Sequence, residues 1–160
     1  MTTHLRDNAP SHFVTTDQQA LADQAYRFFQ SEFHHLNAEM DDTDDLPASV
    51  FPKLGEMGYL GLNVSPEYGG AGLDFTSACV ITEELSRANA AIGLSQVAHD
   101  NLCVNNIYRN ANDELRRKFL PGLCEGKLIG ALGLTEPGAG SDALGSMRTT
   151  ARKDGGDYVL

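Results

Sequence analysis

The spacing of apolar residues changes once along this chain, at Glu125-Gly126, and that change limits the folds open to it. Before it, apolar side chains recur at the three-to-four-residue spacing of packed helices. After it, KLIGALGLT reads as a buried strand, SMRTTARKD as an alternating strand and DYVL as the opening of a third, with Asp154-Gly155-Gly156 as the turn. The expected architecture is an all-α N-terminal helical domain, residues 16–126, followed by the beginning of an antiparallel β-barrel-like domain, residues 127–160. Residues 1–15 read as a flexible, frayed lead-in. Three strands, the last hardly begun, cannot bury two faces of a sheet, so the β region is expected to be unfinished.

Within the helical part, Thr16 with Gln19 resembles a capping box, and Leu21, Ala25, Phe28, Phe29 and Leu36 predict a helix running to about Ala38. DDTDD at 41–45 reads as a solvated loop, because it lacks the glycine and glutamate of a calcium loop. Pro47 to Met57 is a short helix closed by Gly58. YLGLNVSPEYGGAGLD reads as a strand-like fragment and a glycine-rich turn. Asp74 should cap a helix that buries Val80, Ile81, Leu85 and Ala88, with Glu83 and Glu84 pairing with Arg87 on its exposed side. Residues 90–109, rich in small and apolar side chains, form a helix expected to be buried. A short helix at 112–119 should end before Pro121.

Composition narrows the function classes. An apolar fraction of 41% and a charged fraction of 21% belong to a soluble globular chain. A net charge of −10 argues against binding nucleic acid or an anionic membrane non-specifically. No apolar run approaches the roughly 20 residues that span a bilayer. MTTHLRDNAPSHF resembles neither a signal nor a transit peptide, so a cytoplasmic location is expected. Cys79, Cys103 and Cys124 suggest neither a disulfide framework nor a zinc site, and Cys103 and Cys124 read as buried apolar residues. His34 and His35, adjacent on a helix, diverge by about 100° and cannot share a metal. No metal site is expected.

Residues 134–146, LTEPGAGSDALGS, mount a polar, donor-rich turn after an apolar run. Backbone N–H groups around Gly138, Ala139 and Gly140 can converge on an anion, and Thr135, Ser141 and Ser146 add hydroxyls. The phosphate loops G-x-x-x-x-G-K-[ST] and G-x-G-x-x-G are both absent. Chemistry alone leaves two readings open, a plain turn or a cradle for an anion or cofactor.

GLTEPGAGSD, together with PEYGGAGLD, EELSRANAAIGLS and KFLPGLCEGKLIGAL, resembles the acyl-CoA dehydrogenases in order and approximate spacing across residues 16–160. AHDNLCVNNIYRN with GALGLTEP is similar to the isovaleryl-CoA dehydrogenase branch, which acts on short branched acyl-CoA thioesters. The resemblance implies a helical, a β and a second helical domain in a homotetramer, with FAD between the last two. An acyl-CoA lies against the flavin, a glutamate takes the α proton, and the β hydrogen leaves as hydride. Electron-transfer flavoprotein is the implied acceptor. By position, Leu132 and Leu134 would meet FAD through their backbone, Thr135 through its hydroxyl, and Gly140 and Ser141 within the loop, Ser141 also touching the thioester.

Ser95, Ala98, His99 and Leu102 would line the acyl pocket, although core packing accounts equally well for Ser95, Ala98 and Leu102, and for His99 a hydrogen-bonded core role is the favoured reading. The family's glutamate base has no counterpart up to Leu160, and Glu136 is expected to be a structural carboxylate, so no catalytic residue is expected in this chain. Two alternatives stay open: an oxygen-reoxidised flavoenzyme of the same fold (oxidase or monooxygenase), and a non-catalytic helical interaction module.

Overall fold

The computed structural model describes residues 14–160; the expected flexible lead-in falls mostly on residues 1–13, outside the described part. The first helix, α1 (Thr16–Glu32), is capped one residue earlier than its sequence suggests. The Thr15 hydroxyl oxygen accepts the Gln18 N–H, and the Thr15 N–H donates to the Gln18 side-chain oxygen. Ala22, Ala25 and Phe29 form its buried stripe.

The helix does not run to Ala38. It breaks at Phe33, whose ring enters the core beside Phe28 and Phe29. A 3₁₀ turn (His34–Leu36) and α2 (Asn37–Thr43) follow. The cause of the break lies far away in sequence: the Asn37 amide donates to the carbonyl of Ala88, an open group at the end of another helix, at 2.9 Å. As a result α2 reaches into the acidic stretch at 41–45, which is exposed throughout.

Helix α3 (Val50–Glu56) ends at Met57, and Gly58 follows with φ 73°. The fragment after it forms no strand. Tyr59, Leu60, Leu62 and Val64 are buried on irregular backbone and a 3₁₀ turn (Pro66–Tyr68). Asp74 caps α4 (Phe75–Ala88) as expected, and Val80, Ile81, Leu85 and Ala88 are buried. Glu84 departs from its expected exposed place: it is buried, and its carboxylate takes the Arg87 guanidinium at 2.9 Å.

The expected helix at 90–109 is one continuous rod in three parts: α5 (Ala90–Val97), a π-helical stretch (Ala98–Val104) and α6 (Asn105–Asn110). Helix α7 (Asp113–Cys124) passes through Pro121 rather than stopping short of it. Burial of Leu120, Leu123 and Cys124, at roughly 1.5–3 kcal/mol for a large apolar side chain, outweighs the ~3 kcal/mol penalty of an interior proline.

Two hydrophobic clusters result. The larger joins α1, α3, α4 and Ile92; the smaller joins Val64, Tyr68, Val104, Leu120, Leu123 and Cys124.

Beyond α7 the expected strand at 127–135 is absent. The segment is irregular and exposed, with Ile129 65% accessible, because the described residues offer it no strand to pair with. A short helix α8 (Ala143–Ser146) follows. Then β1 (Arg152–Asp154) and β2 (Asp157–Val159) pair antiparallel, Asp154 opposite Asp157, across the predicted Gly155-Gly156 turn. The second expected strand is thus reduced to its last three residues. Among the described residues no helix is long and apolar enough to cross a membrane.

A close approach between α3 and the end of α7 tests this packing. A Cβ added at Gly55 would lie 2.3 Å from the backbone carbon and oxygen of Glu125 at the end of α7. Alanine gains up to about 1 kcal/mol in helix propensity, but the clash is with backbone and cannot rotate away. Gly55→Ala is expected to destabilise the fold by about 1–3 kcal/mol, read as a melting temperature lower by several degrees. Gly133→Ala, where an added Cβ meets nothing within 4 Å, should stay within the ~0.5 kcal/mol of an ordinary surface change.

Candidate functional site

The π-helical stretch carries a polar cluster that the sequence reading passed over. Asp100 is buried, and its carboxylate accepts the N–H of Gly61 at 2.9 Å, the N–H of Leu62 at 3.2 Å and the side-chain amide of Gln96 at 3.1 Å. Gln96, also buried, accepts from the Thr82 hydroxyl at 3.3 Å. Burial pushes the Asp100 carboxyl up to about 6, against the pull of its three donors. The only hint in the sequence is a charged residue inside an otherwise small and apolar helix. Nearby Cys124 has its thiol pushed up to about 12 by burial and the carboxylates of Asp100 and Glu125, so it is no nucleophile.

His99, its neighbour, is fully enclosed. One ring nitrogen lies 3.2 Å from the Leu123 carbonyl and the other accepts the Gly130 N–H at 2.9 Å. Ser95 is half-buried with its hydroxyl donating back to the Ala91 carbonyl at 2.9 Å. Ala98 is half-buried at the start of the π stretch. Leu102 is exposed, and it meets Leu132 across two adjoining clefts of about 430 and 370 Å³ that also take in Asn106 and Asn110. Of the residues singled out from the sequence, these two are brought together.

The glycine-rich turn stands apart from that cleft. Glu136 and Ala139 exchange both backbone hydrogen bonds across Pro137-Gly138. Asp142 caps α8, accepting the Gly145 N–H at 3.2 Å and the Ser146 hydroxyl at 2.5 Å. A cavity of about 520 Å³ lies between the turn and residues 145–148.

Glu136 accepts the N–H groups of Arg148 at 2.8 Å and Thr149 at 2.9 Å. Bonds from the Thr149 side chain and these amides hold its carboxyl below the usual range, so it is an ionised strut of the loop. Leu134, Thr135, Gly140 and Ser141 are exposed. Among the described residues, the backbone N–H groups of Leu132, Leu134, Thr135, Gly140 and Ser141 have no protein acceptor. No group of three or more His, Cys, Asp or Glu among the described residues could hold a metal ion.

The Asp100 cluster makes the fold sensitive to pH in a definite direction. Below about pH 4 the group is protonated whether the chain is folded or not. Between there and 6 the unfolded chain releases a proton that the fold retains, so stability falls as pH rises, by on the order of 2–3 kcal/mol in all. Asp100→Asn lacks this dependence. The stability of the natural chain relative to Asp100→Asn is therefore expected to decline between pH 4 and 6.5 in urea unfolding. Asp74, Asp113 and Glu136, whose carboxyls are lowered, act oppositely but equally in both proteins and cancel. A difference independent of pH would refute the assignment.

Comparison with known proteins places this geometry. A family model described as acyl-CoA dehydrogenase, N-terminal domain, matches residues 15–127. The chain is 40% identical over 149 residues to the mitochondrial isovaleryl-CoA dehydrogenase of Bos taurus, covering 92% of this chain and 35% of that protein. It is 37% identical over 147 residues to the short-chain specific acyl-CoA dehydrogenase of Clostridium acetobutylicum, covering 92% and 38%. Its fold is similar to that of a glutaryl-CoA dehydrogenase from Mycobacterium smegmatis solved in complex with FADH2. There the TM-score is 0.85 and the identity 30%, over 91% of this chain and 37% of that one. The chain thus spans little more than a third of the length of the relatives it matches. It belongs to the acyl-CoA dehydrogenase family, as that family's N-terminal helical domain with the start of the β domain that follows.

Proposed function

We propose that this chain is the N-terminal part of an FAD-dependent enzyme that dehydrogenates an acyl-CoA thioester between its α and β carbons, short or branched acyl chains being favoured. The observation that carries the reading is the state of residues 132–141. The N–H groups of Leu132, Leu134, Thr135, Gly140 and Ser141 lack acceptors among the described residues, both leucines are exposed (Leu132 45%, Leu134 43%), and a Cβ added at Gly133, Gly138 or Gly140 meets nothing within 4 Å. A flat ring bearing carbonyls and nitrogens fits such a surface, since it uses both the donors and the apolar faces. The relative solved with FADH2 and the 40% identity to an isovaleryl-CoA dehydrogenase support the cofactor and the substrate class.

When bound, FAD supplies a two-electron acceptor for the hydride that leaves the substrate. The chain's own residues hold and shape. In this proposal Leu132 and Leu134 offer backbone N–H groups, Thr135 a hydroxyl, Gly140 a close approach of backbone, and Ser141 a hydroxyl to both cofactor and thioester. Leu102, facing Leu132, forms an apolar wall suited to a short branched chain, with Ser95 and Ala98 earlier on the same rod.

The α proton needs a positioned base. Glu136 is not free for that role, because its carboxylate already holds Arg148 and Thr149. A glutamate from another part of the protein is proposed instead. A homotetramer and electron-transfer flavoprotein as acceptor belong to the same proposal and rest on family membership alone.

Two substitutions in the full-length protein test the loop. Ser141→Ala removes a donor to a charged or polar acceptor, which costs about 1.5–3 kcal/mol, or roughly 10–150-fold in cofactor or substrate binding. Thr135→Val keeps the shape and removes a hydroxyl from the ring, so it should change the flavin spectrum and its reduction rate more than its retention. FAD titration into each apo variant reads both; wild-type affinity with an unshifted spectrum in both would mean that the loop is only a turn. The 160-residue chain by itself is expected to lose FAD on gel filtration, and a stoichiometric yellow colour surviving that step would contradict it.

A further inference from the structure

We propose that His99 is a positioning residue: through the amide of Gly130 it sets where residues 131–135 leave the helical block, and so where Thr135 and its neighbours meet the flavin. The flavin half of this inference rests on the function proposed above. His99 itself offers a ligand nothing, since its ring is 0% exposed and both nitrogens bond to backbone of two different elements. With its proton on Nε2, the ring donates to the Leu123 carbonyl in the last turn of α7, at 3.2 Å. Nδ1 then accepts the Gly130 N–H at 2.9 Å. That pattern requires the neutral ring. Burial lowers the His99 pKa against the opposing pull of the Leu123 bond, and Asp100, 3.9 Å from Nε2, is the ionisable group beside it.

The Gly130 bond matters because of what surrounds it in sequence. The Leu128 N–H reaches the Gly122 carbonyl at 3.0 Å, and the next backbone bond is that of Glu136, inside its own turn. Between them, Gly130 to His99 is the one hydrogen bond that ties the segment to the other described residues.

A second contact marks the same point. A Cβ at Gly130 would lie 2.5 Å from Cys103 Sγ and 2.6 Å from its Cβ, so the backbone here lies flush against the π stretch. The segment is therefore a lever hinged at Gly130. Five residues span up to about 17 Å, and a tilt of about 10° at the hinge moves Thr135 by up to about 3 Å. A displacement of about 1 Å is enough to impair a positioned contact.

The two ring bonds can be separated in the intact protein. His99→Asn places an amide oxygen near the position of Nδ1, keeping an acceptor for Gly130 and losing the donor to Leu123. His99→Gln reaches the position of Nε2, keeping the donor to Leu123 and losing the acceptor for Gly130. H99Q is expected to hold its melting temperature closer to wild type, yet to bind FAD roughly 2–12-fold more weakly, with a shifted flavin absorption band. Amide hydrogen exchange in the peptide spanning 128–136 should accelerate by a similar factor. H99N is expected to lose more thermal stability while keeping FAD affinity and exchange near wild type.

FAD affinity that follows melting temperature in both variants, or unchanged exchange in H99Q, would overturn the proposal. A wild-type protein that takes up no FAD would refute the functional reading instead. The exchange comparison, which needs no flavin, would then decide the anchoring by itself.

Discussion

A carboxylate almost shut off from water, Asp100, receives two backbone N–H groups from the irregular chain after α3 and one side-chain amide from its own rod. Burying an unpaired charge costs several kcal/mol, so this arrangement persists only because three donors converge on it. The donors in turn belong to residues that could not otherwise be buried. Gly61 and Leu62 lie on backbone that is neither helix nor sheet, and their N–H groups would be left without acceptors. One polar contact thus lets Tyr59, Leu60, Leu62 and Val64 enter the interior on irregular backbone, joining the two hydrophobic clusters.

The same stretch of rod serves both sides. Adjacent residues on a regular α-helix point about 100° apart, yet His99 and Asp100 are both buried, each satisfied by a different element. A π-helical stretch at this place is consistent with the frequent appearance of such turns at functional sites. Asp100 faces the chain after α3, while His99 faces α7 and the segment beyond it. Well-packed interior and exposed loop are therefore connected through two neighbouring side chains. The loop itself is largely exposed, which puts it at the low-stability end of the fold.

Signals confined to a few residues read correctly from the sequence. Asp74 before a helical apolar stripe, Gly58 after α3 and Asp154-Gly155-Gly156 between short strands each specify their structure through local hydrogen bonds or backbone sterics. Readings failed where a distant group decided the outcome. The break at Phe33 depends on a ring entering the core and on the Ala88 carbonyl, 51 residues from Asn37. Pro121 stays inside α7 because Leu123 and Cys124 have a cluster to join. KLIGALGLT has the composition of a buried strand but no neighbour to pair with among the described residues.

The sequence by itself determined the order of helical block and hairpin, the caps at Asp74 and Gly58, and the GLTEPGAGSD segment that resembles the family, because each is written in contiguous residues. It also marked Leu102 and Leu132 as candidates without showing that they share a cleft. Only the tertiary structure decided that His99 and Glu136, both plausible as chemical groups, are occupied by backbone partners. It alone placed Asp100 at the junction of the two clusters. Whether a polar side chain serves a ligand or the fold depends on which donors and acceptors surround it, and those come from other elements, 12 and 13 positions away for Glu136 and 24 to 39 for His99 and the backbone donors of Asp100.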